Sequence, residues 1–481
     1  MKGIRLILTA FLCVLCGRPV AAERPPNIIH IIADDVGWDD FACYGAEKIK
    51  TPNLDRLAER GMRFTSFFAP APLCSATRAA LLTGCYAERI GIPGALMPHS
   101  TIGLSAKETT TASLLKQRGY ATALVGKWHL GHQPEFRPTR HGFDEFFGIP
   151  YPNDQGAERN TLAAHQKDPV RPPIPLYDGE RVVEHALDFE QAPVRFLNRA
   201  LRFIDEHRDQ PFFLHFANIE THVPWHIPGI WQGRSAAGAY GDAVEFFDWT
   251  VGQIVSFVEA NGLGSNTLIV VQSDNGMLTA GNKDYETVWG RFGTVDKTAR
   301  HRLRGSKHTV WEGGVRVPCL AAWPGRIRAG TTSDAIAAGY DWHPTFAAIA
   351  GARLPVDRVI DGRDLAPLLF AQPDAKPPHD TFFYYHSFRL GAVREGRWKL
   401  MIAPTGRGFD GPNEPVGKSG PPQLFDLESD LAETTDMAAK RPDIVERLLK
   451  LADHARADLG DSARKLRGSG QRPPGEARQT K

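Results

Sequence analysis

Asn27-Ile28-Ile29-His30-Ile31-Ile32-Ala33 is a mainly apolar run that ends in the acidic pair Asp34-Asp35. A strand rich in isoleucine along its whole length, without polar alternation, suits a parallel sheet covered on both faces. The pattern recurs downstream. Tyr120 to Val125, Phe212 to Ala217 and Thr267 to Gln272 read as further strands of this kind. Helical stretches separate them, one ending near Gly119 and one running from about Tyr240 to Ala260 before Asn261-Gly262. Thr51 to Gly61 reads as another helix, with Thr51 at the cap, Pro52 in the first turn and Gly61 at the stop. Strand, helix, strand repetition predicts an α/β fold with a mostly parallel central sheet and helices on both faces.

The character changes after residue 360. Thr381 to Tyr385 and Trp398 to Ile402 read as short strands, and Pro442 to Arg456 as a helix. They predict a smaller C-terminal α+β subdomain with an antiparallel sheet. The expected organisation is a leader over 1–22, a large α/β domain over 23–360, the subdomain over 361–460 and a tail over 461–481. The tail is polar and rich in Gly, Pro and Arg, and is expected to be disordered.

The 481 residues, 42% of them hydrophobic, suffice for a large core. With 57 basic against 55 acidic residues the net charge is +2, so no global field points to nucleic acid or a membrane surface. The N-terminus has the pattern of an export signal. Lys2 and Arg5 precede an apolar run, Leu6 to Cys16, that is short for a bilayer, and Val20-Ala21-Ala22 follows. No later stretch is long and apolar enough for stable membrane insertion. Of 6 cysteines, Cys13 and Cys16 fall in the leader, and Cys43, Cys74, Cys85 and Cys319 are too few for a disulfide scaffold. The sequence has no Asn-x-Ser/Thr acceptor. Together these features predict an exported protein, periplasmic or secreted, in a bacterial context.

Ligands of open α/β sheets bind beyond the carboxyl ends of the strands. The strands deliver Asp34-Asp35, Lys127-Trp128-His129, Glu220-Thr221-His222 and Asp274-Asn275-Gly276 to that rim. Taken singly, Asp34-Asp35 and Asp274-Asn275-Gly276 read as turns, and lone histidines as structural residues. Taken together, three carboxylates and an amide oxygen form a hard donor set that suits Ca²⁺ or Mg²⁺ rather than Zn²⁺.

Pro72-Leu73-Cys74-Ser75-Ala76-Thr77-Arg78-Ala79-Ala80-Leu81-Leu82-Thr83-Gly84 reads as a loop entering a helix that ends at Gly84. Cys74 then lies at a helix N-terminus, where free N–H groups favour an anion, and Arg78 lies one turn on. By itself Cys74 also reads as a buried structural cysteine or as a disulfide partner of Cys85.

Cys74-x-Ala76-x-Arg78, followed by Leu81-x-Thr83-Gly84, resembles the signature of the sulfatase family, within the alkaline-phosphatase-like superfamily. The resemblance continues through Gly126-Lys127-Trp128-His129-Leu130-Gly131, Ser273-Asp274-Asn275-Gly276, Leu303-Arg304-Gly305-Ser306-Lys307 and Glu312-Gly313-Gly314-Val315-Arg316. Asp361-Gly362-Arg363-Asp364-Leu365 and Leu424-Phe425-Asp426-Leu427 extend it to the C-terminal region. Coverage runs from about residue 26 to 452, in the family's order. The resemblance implies hydrolysis of a sulfate monoester, aryl or carbohydrate, with Cys74 oxidised to formylglycine by a maturation enzyme. It implies that Asp34, Asp35, Asp274 and Asn275, with residue 74, hold one divalent cation, Ca²⁺ by preference. Arg78 and Lys127 would hold the aldehyde hydrate and the sulfate oxygens, Lys307 and His222 would sit on the leaving-group side, and His129 beside the formylglycine.

Such a site is cationic where oxygens gain charge in the transition state. One hydroxyl of a hydrated aldehyde attacks sulfur, and His222 or Lys307 protonates the departing oxygen. His129 takes the proton of the second hydroxyl, sulfate leaves and the aldehyde returns. Two departures from the family pattern stand out. Ala76-Thr77 replaces the commoner proline and serine, and Pro152-Asn153-Asp154 follows Gly148-Ile149-Pro150-Tyr151 where related arylsulfatases often carry serine. Lys297, Arg300, Arg302, Arg304 and Lys307 form a basic run, read as a solvated loop or, more sharply, as a rim for a sulfated polysaccharide. Competing readings are a phosphonate or phosphodiester hydrolase of the same superfamily, and a silent carbohydrate-binding relative with an unmodified Cys74.

Overall fold

The computed structural model describes residues 24–92, 94–156, 171–278, 302–402 and 420–478. The expected leader lies outside the described residues.

The main sheet is built from β1 (Asn27–Ala33), β2 (Met62–Phe64), β5 (Ala121–Lys127), β6 (Glu145–Ile149), β7 (Leu176–Asp178), β8 (Arg181–Glu184), β9 (Phe212–Ala217), β10 (Thr267–Ser273), β11 (Cys319–Ala322) and β12 (Thr331–Ser333). Smaller pairings use β3 (Phe67–Phe68), β4 (Ile102–Gly103), β13 (Ala337–Ala338) and β18 (Gly475–Glu476). The ten strands run in the order β12-β2-β11-β10-β1-β9-β5-β6-β7-β8. β10, β1, β9, β5 and β6 form a parallel centre, and antiparallel strands flank it on both sides.

The opening stretch is central, as its composition predicts, and all of β1 is buried. Its side chains alternate between two cores. Ile29, Ile31 and Ala33 join Leu214, Phe216 and Val271 under the helices Ala192–Glu206 and Gly238–Ala260. Ile28 joins Leu124, Phe213 and Val270 under the helices Cys74–Thr83, Thr111–Lys116 and Trp342–Ile349. The helix predicted from Thr51 spans Pro52–Glu59, but the Thr51 hydroxyl accepts from Ala42 N instead of capping it.

The C-terminal sheet is antiparallel, in the order β14 (Thr381–His386), β15 (Arg389–Glu395), β16 (Trp398–Met401), β17 (Gln423–Asp426), with the helix Pro442–Leu459 packed on it. The expected disorder after residue 460 is not found over 461–478. β18 pairs with β4, Arg472 N donates to Arg89 O at 2.6 Å, and the Arg472 guanidinium grips Glu108 at 2.7 and 2.9 Å. The polar composition that suggests disorder here supplies hydrogen-bond and ion-pair partners for the large domain.

Candidate active site

Parallel register sets the site. Ala33 pairs with Ser273, Ile32 with Ala217 and Gly126 with Ala217, so four strands end level. Asp34, Lys127, Asn218 and Asp274 therefore meet at one rim. Gly126 permits this closeness: at φ +107°, a Cβ there would lie 1.9 Å from Ala217 O. Cys74 is the first residue of its helix, and no side chain caps the N-terminus. Gly84, at φ +71°, ends the helix as expected, and a Cβ there would meet His343 and Ile360. Cys43, Cys74, Cys85 and Cys319 are free thiols.

The predicted residues converge. Lys127 Nζ lies 2.7 Å from Asp34 Oδ2, and Cys74 Sγ lies 3.8 Å from Asp34 Oδ1. Arg78 donates to Asp274 Oδ2 at 2.8 and 3.1 Å and to Lys127 O at 3.1 Å. Lys307 Nζ lies 2.7 Å from both oxygens of Asp35 and 3.2 Å from His222 Nε2. Asn275 Nδ2 donates to Asp35 Oδ1 at 2.7 Å.

Hydrogen bonds fix the histidine tautomers. His222 Nδ1 donates to Val223 O at 2.6 Å, so Nε2 faces Lys307 as an acceptor. His129 Nε2 donates to Leu96 O at 2.9 Å, so its buried, unpartnered Nδ1 carries a lone pair. Burial, with the charges of Lys127 and Arg78, holds His129 well below its ordinary pKa. Burial and Lys307 lower His222 likewise. Both rings are neutral at pH 7. Burial alone would raise Asp34, but Lys127 and Arg78 hold it well below the usual carboxylate range. Burial and the neighbouring Asp34 push Asp274 up to about 7. Burial pushes the Cys74 thiol up to about 12, so as encoded it stays protonated.

The rim carries donors for a metal ion. Asp34, Asp35, Cys74 and His222 bring ligand atoms within 4.8 Å of one another. Among the described residues the buried Asn275 Oδ1 has no hydrogen-bond partner, which is how a carbonyl oxygen meant for a cation looks. His222 joins this cluster although the sequence placed it on the leaving-group side. Asp274 is held mainly by Arg78.

Cys74, His129, His222 and Lys307 open into a cavity of about 490 Å³, also lined by Met97, His99, Asp154, Gln155, Arg171 and His308. The sequence did not single out Gln155, and Asp154 entered only as a departure from the family pattern after Tyr151. Thr221 was missed as a support: its hydroxyl donates to Asp34 O at 2.6 Å. Arg302 and Arg304 of the basic run pack over Trp38 and Trp311, at 5.1 and 3.6 Å. These two do not form a free basic rim, and Lys297 and Arg300 lie outside the described residues.

The sulfatase family model matches residues 26–352, and the model of the C-terminal region of aryl-sulfatase matches residues 377–473. The chain belongs to the sulfatase family. It is 37% identical over 461 residues to arylsulfatase A of Homo sapiens, covering 90% of this chain and 88% of that one. It is 38% identical over 402 residues to N-acetylgalactosamine-6-sulfatase of Canis lupus familiaris, covering 79% and 72%. Among solved structures it resembles Ps i-CgsB in complex with k-i-k-neocarrahexaose, with a TM-score of 0.74, 27% identity and coverage of 90% and 92%. This sulfatase is an enzyme that hydrolyses sulfate esters to an alcohol and inorganic sulfate. Among the described residues, no helix is long and apolar enough to cross a membrane.

Proposed function

We propose that this sulfatase acts on a sulfated glycan through formylglycine at position 74, with Ca²⁺ held by Asp34, Asp35, Asp274, Asn275 and residue 74. The observation that carries the reading is the company Cys74 keeps. It sits at an uncapped helix N-terminus, beside Asp34, on the floor of a cavity shared with Lys307, His222 and His129. Asn275 Oδ1, buried and unpartnered, supports the cation.

When bound, the cation supplies Lewis-acid polarisation, and oxidised residue 74 supplies a hydrated aldehyde as nucleophile. The chain's own residues do the rest. Lys127 donates one hydrogen bond to Asp34 and keeps donors for sulfate oxygens, which Arg78 reinforces with its charge. Lys307 donates toward His222 Nε2 and carries the proton that the leaving oxygen needs. His129 Nδ1 accepts a proton from the hydroxyl at position 74 that remains after sulfur is attacked. The carbohydrate preference draws on the relative named for N-acetylgalactosamine 6-sulfate and the structure holding an oligosaccharide. Lys2, Arg5 and the apolar run to Cys16 support export to the periplasm or beyond it.

The test is the mass of the peptide containing Cys74, from protein purified from its native host. An aldehyde or its hydrate is expected there. An intact thiol in mature, active protein overturns the formylglycine mechanism. Chelation should abolish turnover and lower the melting temperature, with Ca²⁺ restoring both.

A further inference from the structure

The cavity wall carries polar atoms with no partner among the described residues. The short 3-10 turn Asn153–Gln155 follows β6 and presents Asp154 and Gln155 to the cavity. Gln155 is 8% exposed, and its Oε1 accepts no hydrogen bond. Its Nε2 lies 3.3 Å from Leu96 O and 3.5 Å from His129 Nε2, which places the amide next to the catalytic histidine. Asp154 Oδ1 is also shielded and unpartnered. The turn is anchored from behind, where Asn153 Nδ2 donates to Pro224 O at 2.8 Å and to His222 O at 3.4 Å. Asn153 thus ties the turn to the loop that carries His222, and the two acceptors keep a fixed place relative to the leaving-group side.

A shielded oxygen without a donor is costly unless a ligand supplies the donor. Both orphan atoms are acceptors. An ionised carboxylate and an amide carbonyl can only receive hydrogen bonds. The alcohol part of the ester shares the cavity with them, because Cys74 and Lys307 line the same space. An aryl or sterol ring offers no donor at its edge, whereas a sugar ring offers several hydroxyls.

We propose that Asp154 and Gln155 form a hydroxyl-reading pair that selects a polyhydroxylated sugar as the leaving alcohol. The inference rests on the sulfatase reading above and gives its substrate class a structural cause. Pro152 offers no side-chain hydrogen-bonding group and Asn153 is turned to Pro224 O and His222 O, so recognition at this turn falls to Asp154 and Gln155.

The experiment compares mature wild type with Asp154→Ala, Asp154→Asn and Gln155→Glu. Substrates are 4-nitrophenyl sulfate and the 6-sulfates of galactose, N-acetylgalactosamine and N-acetylglucosamine. A second arm titrates the free sugars by calorimetry. Expected for Asp154→Ala is a ~10- to 100-fold fall in the ratio of sugar-sulfate to aryl-sulfate kcat/KM, carried mainly by KM. Free-sugar binding should weaken in parallel, while Asp154→Asn and Gln155→Glu, which keep an acceptor oxygen, should lose less. A ratio unmoved by Asp154→Ala overturns the pair and leaves the sulfatase mechanism standing. A wild type that turns over the aryl ester but neither cleaves nor binds any sugar of the panel does the same. If Cys74 proves unmodified and nothing is cleaved, the mechanism fails by itself, and the calorimetric arm still decides the pair.

Discussion

Two buried ionic clusters in this molecule look alike in composition and differ in completeness. At the seam of the large domain and the C-terminal sheet, Lys399 is fully enclosed with Glu312 and Glu433. Its ammonium meets Val310 O at 2.9 Å, Glu312 Oε1 at 3.0 Å and Glu433 Oε1 at 2.8 Å. Arg316 closes on Glu312 Oε2 at 2.7 Å, and Tyr384 Oη donates to Glu312 Oε1 at 2.9 Å. At the active site Lys127 is equally enclosed, yet among the described residues its ammonium meets only Asp34. His129 Nδ1 and Asn275 Oδ1 nearby have no partner. The Lys399 cluster, fully enclosed and away from the active-site cavity, holds the fold together. A cluster that keeps donors and lone pairs in reserve beside a cavity is built for a ligand.

The comparison breaks most readily at Lys399. Replacing it by Met leaves Glu433 buried without its cation and Glu312 ion-paired with Arg316 alone, and loss of one partner of a buried pair costs roughly 3–5 kcal/mol. Lys399→Met should lower the urea midpoint sharply while turnover per folded molecule stays near wild type. Lys127→Met tests the other half. Removal of one preorganised donor to a transition-state oxygen costs on the order of 10²–10³ in kcat. The urea midpoint should move less than in Lys399→Met, because Arg78 stays 3.4 Å from Asp34 whereas Glu433 loses its cation. Equal destabilisation by the two substitutions would erase the distinction.

Most of the open cluster was legible in the sequence, and little of the closed one was. Asp34, Lys127, His222 and Asp274 each lie at or beyond the carboxyl end of a strand, and parallel strands ending level must bring such residues together. Cys74 and Arg78 share a helix turn, so their common direction follows from the 3.6-residue period. Glu312, Lys399 and Glu433 come from a short helix, a short strand and a loop that meet only when two units dock, and no local period encodes that meeting. The tail after residue 460 failed for the same reason. Arg472 and β18 acquire order from distant partners, Glu108 and β4, rather than from their own composition.

Glu88 stands between the two clusters, with an oxygen unpartnered among the described residues but away from the active-site cavity. Its Oε2 is buried without a hydrogen bond, and it does not line the active-site cavity. If reserve alone marked a site, Glu88 would be one; if the cavity is also needed, Glu88 is only a strained structural carboxyl. Burial raises its pKa from 4.5 to about 7, against hydrogen bonds from the backbone of Glu88 and Phe388. The folded state thus binds the proton more tightly than the unfolded chain. Stability is then greatest below about pH 4.5 for this group, falls as pH rises from 4.5 to about 7, and levels off above. The full fall converts to about 3 kcal/mol at 1.36 kcal/mol per unit. Glu88→Gln removes the titration, so the gap in urea midpoint between variant and wild type should widen in the variant's favour from pH 5 to pH 8. Turnover of sulfate esters should be unaffected across the series. A pH-independent gap would mean that another group neutralises Glu88, and a loss of turnover would place reserve donors and acceptors in the mechanism even where no cavity reaches them.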